Sequence, residues 1–69
     1  MIDYQISISE EYSAFIPKVR EYLRSQRPTP EYQEIESKDA FVFMIEFKEQ
    51  YEWNKFDVAT RHKFPFLFL

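Results

Sequence analysis

The chain has 69 residues, with 9 Lys and Arg against 12 Asp and Glu for a formal charge of -3, no Cys, no Gly, and an aromatic set of eight Phe, five Tyr and one Trp. Residues 1–69 therefore read as a single small domain, and a chain of this size buries only about 60% of the surface that its unfolded form exposes. Disulfides and thiolate metal sites are excluded, the single His makes no imidazole cluster, and the glycine-rich phosphate loops of nucleotide enzymes have no residue to build them. No metal and no cofactor is expected, and association is the remaining way to reinforce so small a core.

The mild negative charge disfavours a general nucleic-acid binder, whose affinity rests on many Lys and Arg contacts to phosphate. The opening MIDYQISISEE lacks a basic segment followed by an apolar one, and no stretch approaches the roughly 18 apolar residues of a membrane span. A soluble, cytoplasmic protein without a membrane partner is expected. The aromatic content argues against disorder, because burying those rings offsets the entropy of ordering.

In chain order, residues 2–8 alternate, with Ile2, Tyr4, Ile6 and Ile8 on one side and Asp3, Gln5 and Ser7 on the other, the pattern of a half-buried strand. The period then changes. Tyr12, Phe15, Ile16, Val19, Tyr22 and Leu23 fall at the spacing of an amphipathic helix of about 15 residues. Pro17 inside it removes a hydrogen bond, so a bend is expected, with the regular helix starting late. Pro28 and Pro30 end the helix by Arg27 and make residues 27–31 a turn. For residues 32–36 a short edge strand leading into a Ser37-Lys38-Asp39 turn is preferred to a helical turn.

From Ala40 onwards Phe41, Phe43, Ile45, Phe47, Tyr51 and Trp53 hold odd positions, and Phe56, Val58, Phe64, Phe66 and Phe68 hold even ones. A two-residue turn at Asn54-Lys55 explains the change of parity and gives a long antiparallel hairpin with a ladder of aromatic pairs. Lys55 is a poor substitute for Gly in such a turn, and the register sets Lys48 by Arg61 and Glu52 by Asp57, which repel. The alternative is a helix over residues 51–63, with Trp53, Phe56 and Thr60 at i, i+3 and i+7. The preferred architecture is α+β: a small two-layer sandwich of strand, helix, short strand and long hairpin.

That hairpin has an area problem. A 13-residue strand at about 3.3 Å per residue runs roughly 43 Å, whereas a 15-residue helix at 1.5 Å per residue covers about 23 Å. Part of the aromatic face must be covered by a bend, a second copy or another protein. At the open end Val42, Met44, Pro65, Leu67 and Leu69 lie behind Phe41, Phe43, Phe66 and Phe68, so both sides there are apolar. The tail FPFLFL then either closes the domain's own core or forms a contact surface.

Candidate sites follow from these patches. Phe64, Phe66, Leu67 and Phe68 are the expected anchors for a partner, with Glu34, Glu36 and Asp39 as steering charges. Residues 31–52 carry seven carboxylates against two lysines, a segment able to meet a basic surface or to imitate a phosphate backbone, although a solvated edge is the plainer reading. Arg20, Arg24 and Arg27 form a helical stripe that could touch phosphates, or else a solvated face near the helix carboxyl end. Arg61, His62 and Lys63 place the sole His between two cations, the needs of metal-free RNA cleavage, but in the hairpin register His62 faces away from its neighbours.

The order of strand, helix and late strands bearing basic residues loosely resembles the small ribonuclease toxins of toxin–antitoxin pairs, which implies an enzyme acting on nucleic acid. The chain is shorter than those proteins, lacks their second helix and is acidic overall, and no motif carries a residue over. The expected function is a non-enzymatic protein-binding module, an inhibitor or adaptor of the kind carried by mobile elements, that occludes a surface of a larger macromolecular target. The alternatives are a nucleic-acid-acting protein and a structural homo-oligomer such as a homodimer.

Overall fold

The computed structural model describes residues 1–68; Leu69, expected on the reverse side of the hairpin, lies outside the described residues. Strand β1 spans Ile2–Ser9, a 3-10 segment spans Glu10–Phe15, helix α1 spans Ile16–Ser25, and strands β2 and β3 span Glu31–Glu36 and Ala40–Phe47. Helix α2 spans Gln50–Lys63, and a 3-10 turn over Pro65–Phe68 follows. The sheet is antiparallel in the order β1-β3-β2, so β3 lies in the centre and β1 and β2 are its edge strands. The α+β, two-layer reading stands.

The strand β1 alternates as its sequence does: Tyr4, Ile6 and Ile8 are buried and Asp3, Gln5 and Ser7 exposed. The bend after it falls where Pro17 puts it. The first turns are 3-10, Tyr12 leaves helical geometry at φ -108 and ψ 18, and α1 begins at Ile16 with Pro17 in its first turn, where a missing N–H costs nothing. At the other end Ser25 Oγ and Gln26 Nε2 donate to the Tyr22 carbonyl at 2.7 and 3.2 Å, and Arg27 Nη1 donates to the Arg24 carbonyl at 2.7 Å. Those side chains satisfy carbonyls that a helix end leaves without partners. The edge strand β2 and the turn after it form as expected, with Ser37 N–H and Ser37 Oγ both donating to the Ala40 carbonyl at 2.9 and 2.8 Å.

The hairpin at Asn54-Lys55 does not form, and this is the main correction. Asn54 and Lys55 sit in the middle of α2. The helix starts on a capping box, in which Glu49 N–H donates to Glu52 at 3.2 Å and the Glu49 side chain accepts from the Glu52 backbone. The repulsions of the hairpin register disappear: Asp57 and Arg61, one turn apart, pair at 2.8 Å instead. Phe64 to Phe68 are accordingly not a strand, and Pro65 opens a 3-10 turn rather than marking a sheet edge. The longest molecular axis is 31 Å, shorter than the extended hairpin would need, and two helices rather than one cover the strands.

The core is one cluster of Tyr4, Ile6, Ile8, Phe43 and Ile45 from the sheet with Val19, Leu23, Phe56 and Phe64 from the helical layer. Tyr4 is its hub, with Trp53 and Phe56 rings each 5.1 Å from its own in edge-on geometry. Thr60 is fully buried, and its Oγ1 shares a 3.1 Å hydrogen bond with the Tyr22 hydroxyl, which ties α2 to α1. Among the described residues, every buried side-chain polar atom has a partner.

Candidate functional site

Both helices lie against the same side of the sheet, because the buried residues of the sheet and of both helices form one cluster. The reverse side is open. The register places Ile35 opposite Val42, and Gln5 and Gln33 on either side of Met44. Ile35 is 43% exposed, and Val42 and Met44 are half-buried. One end of this face is acidic: Asp3 and Glu31 flank Glu46 in register, three carboxylates in a row across three strands. No Lys or Arg occurs anywhere in β1, β2 or β3. Lys48, just past the end of β3, lines the same pocket as Glu31 and Glu46, but three carboxylates directly opposite one another still repel within the sheet.

The expected anchors divide differently. Phe64 is buried in the core, while Phe66, Leu67 and Phe68 are half-buried and pack against it. Phe66 lies 4.6 Å from Phe15 and 5.4 Å from Tyr12, and Phe68 lies 6.4 Å from Tyr4, centroid to centroid. The tail therefore closes its own domain. Of the steering charges, Glu36 and Asp39 are exposed, but Glu34 lies on the helix side of β2 and is held by Arg20, which donates through Nε at 3.0 Å and Nη2 at 2.6 Å. Two residues assigned to different sites thus meet each other. The Arg20 charge keeps the Glu34 carboxyl below its usual range, its hydrogen bond being the main cause.

The rest of the arginine stripe is also engaged. Arg24 Nε donates to the Tyr32 hydroxyl at 3.4 Å, and Arg27 caps α1 while donating to Thr29 Oγ1 at 3.0 Å. The triplet at the end of α2 does not converge: Arg61 bonds Asp57 and stacks 4.7 Å above the Phe68 ring, Lys63 lies over Tyr22 and Phe64, and His62 is exposed. Arg61 and Lys63 sit instead where the helix dipole favours cations.

A buried-to-surface relay runs beneath. Tyr4 donates to Asp57 Oδ1 at 2.6 Å, and the same oxygen accepts from Arg61 Nε at 2.8 Å. Burial and then the bond to Asp57 push the Tyr4 hydroxyl well above its ordinary value. Burial also pushes the Asp57 carboxyl up, but the bonds from Tyr4 and Arg61 outweigh it and hold it below the usual carboxylate range. Trp53 Nε1 donates to the Asp3 carbonyl of the edge strand at 2.9 Å. These bonds join β1 to α2, and Arg61 extends the link to Phe68 of the tail.

Among the described residues, no group of three or more His, Asp or Glu is placed to hold a metal ion, and no helix is long and apolar enough to cross a membrane. Compared with models of protein families, with curated proteins and with solved structures, the chain matches none.

Sequence reasoning missed Asp3, Glu31, Glu46 and Ile35 as one surface. The parity of β1 and β3 separates the faces, but only the central position of β3 brings Asp3 and Glu31, 28 residues apart, to either side of Glu46.

Proposed function

We propose that the chain is a protein-binding module that acts by covering a basic surface of a larger macromolecule, as an inhibitor or adaptor does, through the open face of its sheet. The observation that supports this reading is the juxtaposition of Ile35, Val42 and Met44 with the carboxylate row of Asp3, Glu46 and Glu31, on strands that hold no cation. The apolar side chains supply contact area, and the carboxylates select a cationic partner and speed the encounter. The partner surface then relieves the repulsion within the row.

The test is a pull-down from native lysate with the intact chain and a Val42→Lys, Met44→Lys variant, quantified against Val58→Lys. Val58 is 70% exposed on α2, away from the sheet. The reading expects a basic protein captured by the parent chain and by Val58→Lys and lost from the double variant. Equal recovery by all three chains, with the double variant still folded by circular dichroism, would refute it.

A further inference from the structure

A second surface, on the helical side and of opposite charge, is independent of that reading. Phe15, Tyr22, Phe64 and Phe66 line a groove of about 520 Å³ between α1 and the C-terminal turn, a volume within the ordinary range for ligand sites. Phe15 and Phe66 are in contact at 4.6 Å and 51°, and Tyr22 and Phe64 at 5.5 Å and 83°. Phe64 belongs to the core, so it fixes the groove floor, and the half-buried rings of Phe15, Tyr22 and Phe66 form its accessible wall.

Two ammonium groups border this wall. Lys18 Nζ lies 5.7 Å from the Phe15 centroid, and Lys63 Nζ lies 5.9 Å from Tyr22 and 6.0 Å from Phe64. Both residues are exposed, and neither pairs with a carboxylate among the described residues, where the ion pairs are Arg20–Glu34 and Arg61–Asp57. Cations held over ring faces keep their outer hydration positions for an anion. Glu21 also lines the groove, which leaves it one net positive charge.

We propose that this groove docks an acidic segment of a partner protein, with an aromatic or large aliphatic side chain against Phe15, Tyr22 and Phe66 and flanking carboxylates at Lys18 and Lys63. The charges and rings together choose this occupant. A single-stranded nucleic acid would seek stacking platforms along a positive track, whereas these ring pairs are steeply inclined to one another and the Glu21 carboxylate interrupts the track. A peptide tolerates that carboxylate, because its backbone N–H groups donate to it. With an acidic sheet face on one side and this groove on the other, the chain is able to join two partners of opposite charge.

The experiment is a random-peptide display selection on the intact chain, followed by synthesis of the enriched peptide and titration by heteronuclear NMR. The proposal expects Asp or Glu flanking Phe, Trp or Leu in the enriched sequences, and chemical-shift changes centred on Phe15, Tyr22 and Phe66. Lys18→Glu with Lys63→Glu should weaken binding at least tenfold. Lys18→Arg with Lys63→Arg should retain it, which separates charge from disturbed folding. Binding should be unchanged in Val42→Lys, Met44→Lys, so failure here is distinct from failure of the sheet-face reading. No enrichment, enrichment of basic sequences, shifts confined to the sheet, or tighter binding of an oligothymidylate than of the peptide would each overturn the proposal.

Discussion

Among individual residues, Asp57 is the one whose protonation matters most for the fold, since it accepts from both Tyr4 and Arg61. Its pKa is lowered on folding, so its contribution is complete above the unfolded carboxyl value and is lost as pH falls through the folded one. The raised Tyr4 pKa has the opposite sense: its contribution is complete below the unfolded phenol value, about 10, and is lost as pH rises beyond it. Tyr4→Phe removes the donor while keeping the ring and its contacts with Trp53 and Phe56. Urea unfolding at pH 7 should show a loss of about 1.5–3 kcal/mol, as for a hydrogen bond to a charged group. Repeated below the folded Asp57 pKa, the difference between the two chains should shrink, and at alkaline pH the variant should lack the fall in stability that Tyr4 gives the parent. An unchanged difference at acid pH would mean that the ring, and not the bond to the carboxylate, accounts for the effect.

At the scale of elements, the competition between hairpin and helix over residues 51–63 decides the architecture. Replacing Lys55 by Gly creates Asn-Gly, the best two-residue hairpin turn. In a hairpin this change would stabilise; in the middle of an exposed helix it should cost about 1 kcal/mol and reduce ellipticity at 222 nm. A gain in stability would contradict α2. The strands β1 and β3 and the bend at Pro17 were legible because their alternation and the missing N–H are local signals. Helix α2 was legible only as the alternative to the hairpin, through Trp53, Phe56 and Thr60, because its other aromatic and aliphatic residues lie around the whole helix: Phe56 faces the core while Tyr51 and Val58, each 70% exposed, face outwards. Such a distribution gives little 3.6-residue periodicity, and Tyr51, Trp53, Phe56 and Val58 fit a strand parity as well. The capping pair Glu49 and Glu52 was the decisive local signal, and it begins with Glu rather than the usual Ser, Thr, Asp or Asn.

The C-terminal turn belongs to the same scale. Its rings look like partner anchors in the sequence because nothing there shows that α1 and Tyr4 are already against them. Phe68→Ala should destabilise the chain by about 1–3 kcal/mol, a value set by a partly buried ring, and should also free the Arg61 guanidinium from its stacked position. A thermal transition identical to that of the parent would assign the tail to contact rather than to the core.

At the scale of the whole molecule, the distribution of charge governs what the open face does. The edge strand β2 and one sheet face could meet another copy of the chain, whereas the β1 edge is partly occupied by Trp53 at the Asp3 carbonyl, and so small a core gains from association. The charges oppose it. Antiparallel pairing of β2 with its own copy joins residues of the same face: centred on Gln33 it would set Glu31 against Ile35 and Tyr32 against Glu34, and centred on Glu34 it would set that carboxylate against its copy and Tyr32 against Glu36, with no apolar residue facing another. Packing face to face would bring together two surfaces on which Asp3, Glu31 and Glu46 outnumber the one nearby lysine, Lys48. A chain with a net charge of -3 adds a general repulsion. Light scattering from about 1 to 100 μM, a range in which micromolar self-affinity would register, should therefore give the 8.6 kDa mass of one chain at about 0.1 M salt. At about 1 M salt the screening length falls to about 3 Å, and the mass should rise as Ile35, Val42 and Met44 meet their copies. The Val42→Lys variant should remain single at both concentrations. A dimer already formed at low salt would show that the carboxylate row does not guard the face, and would remove that face from any other partner.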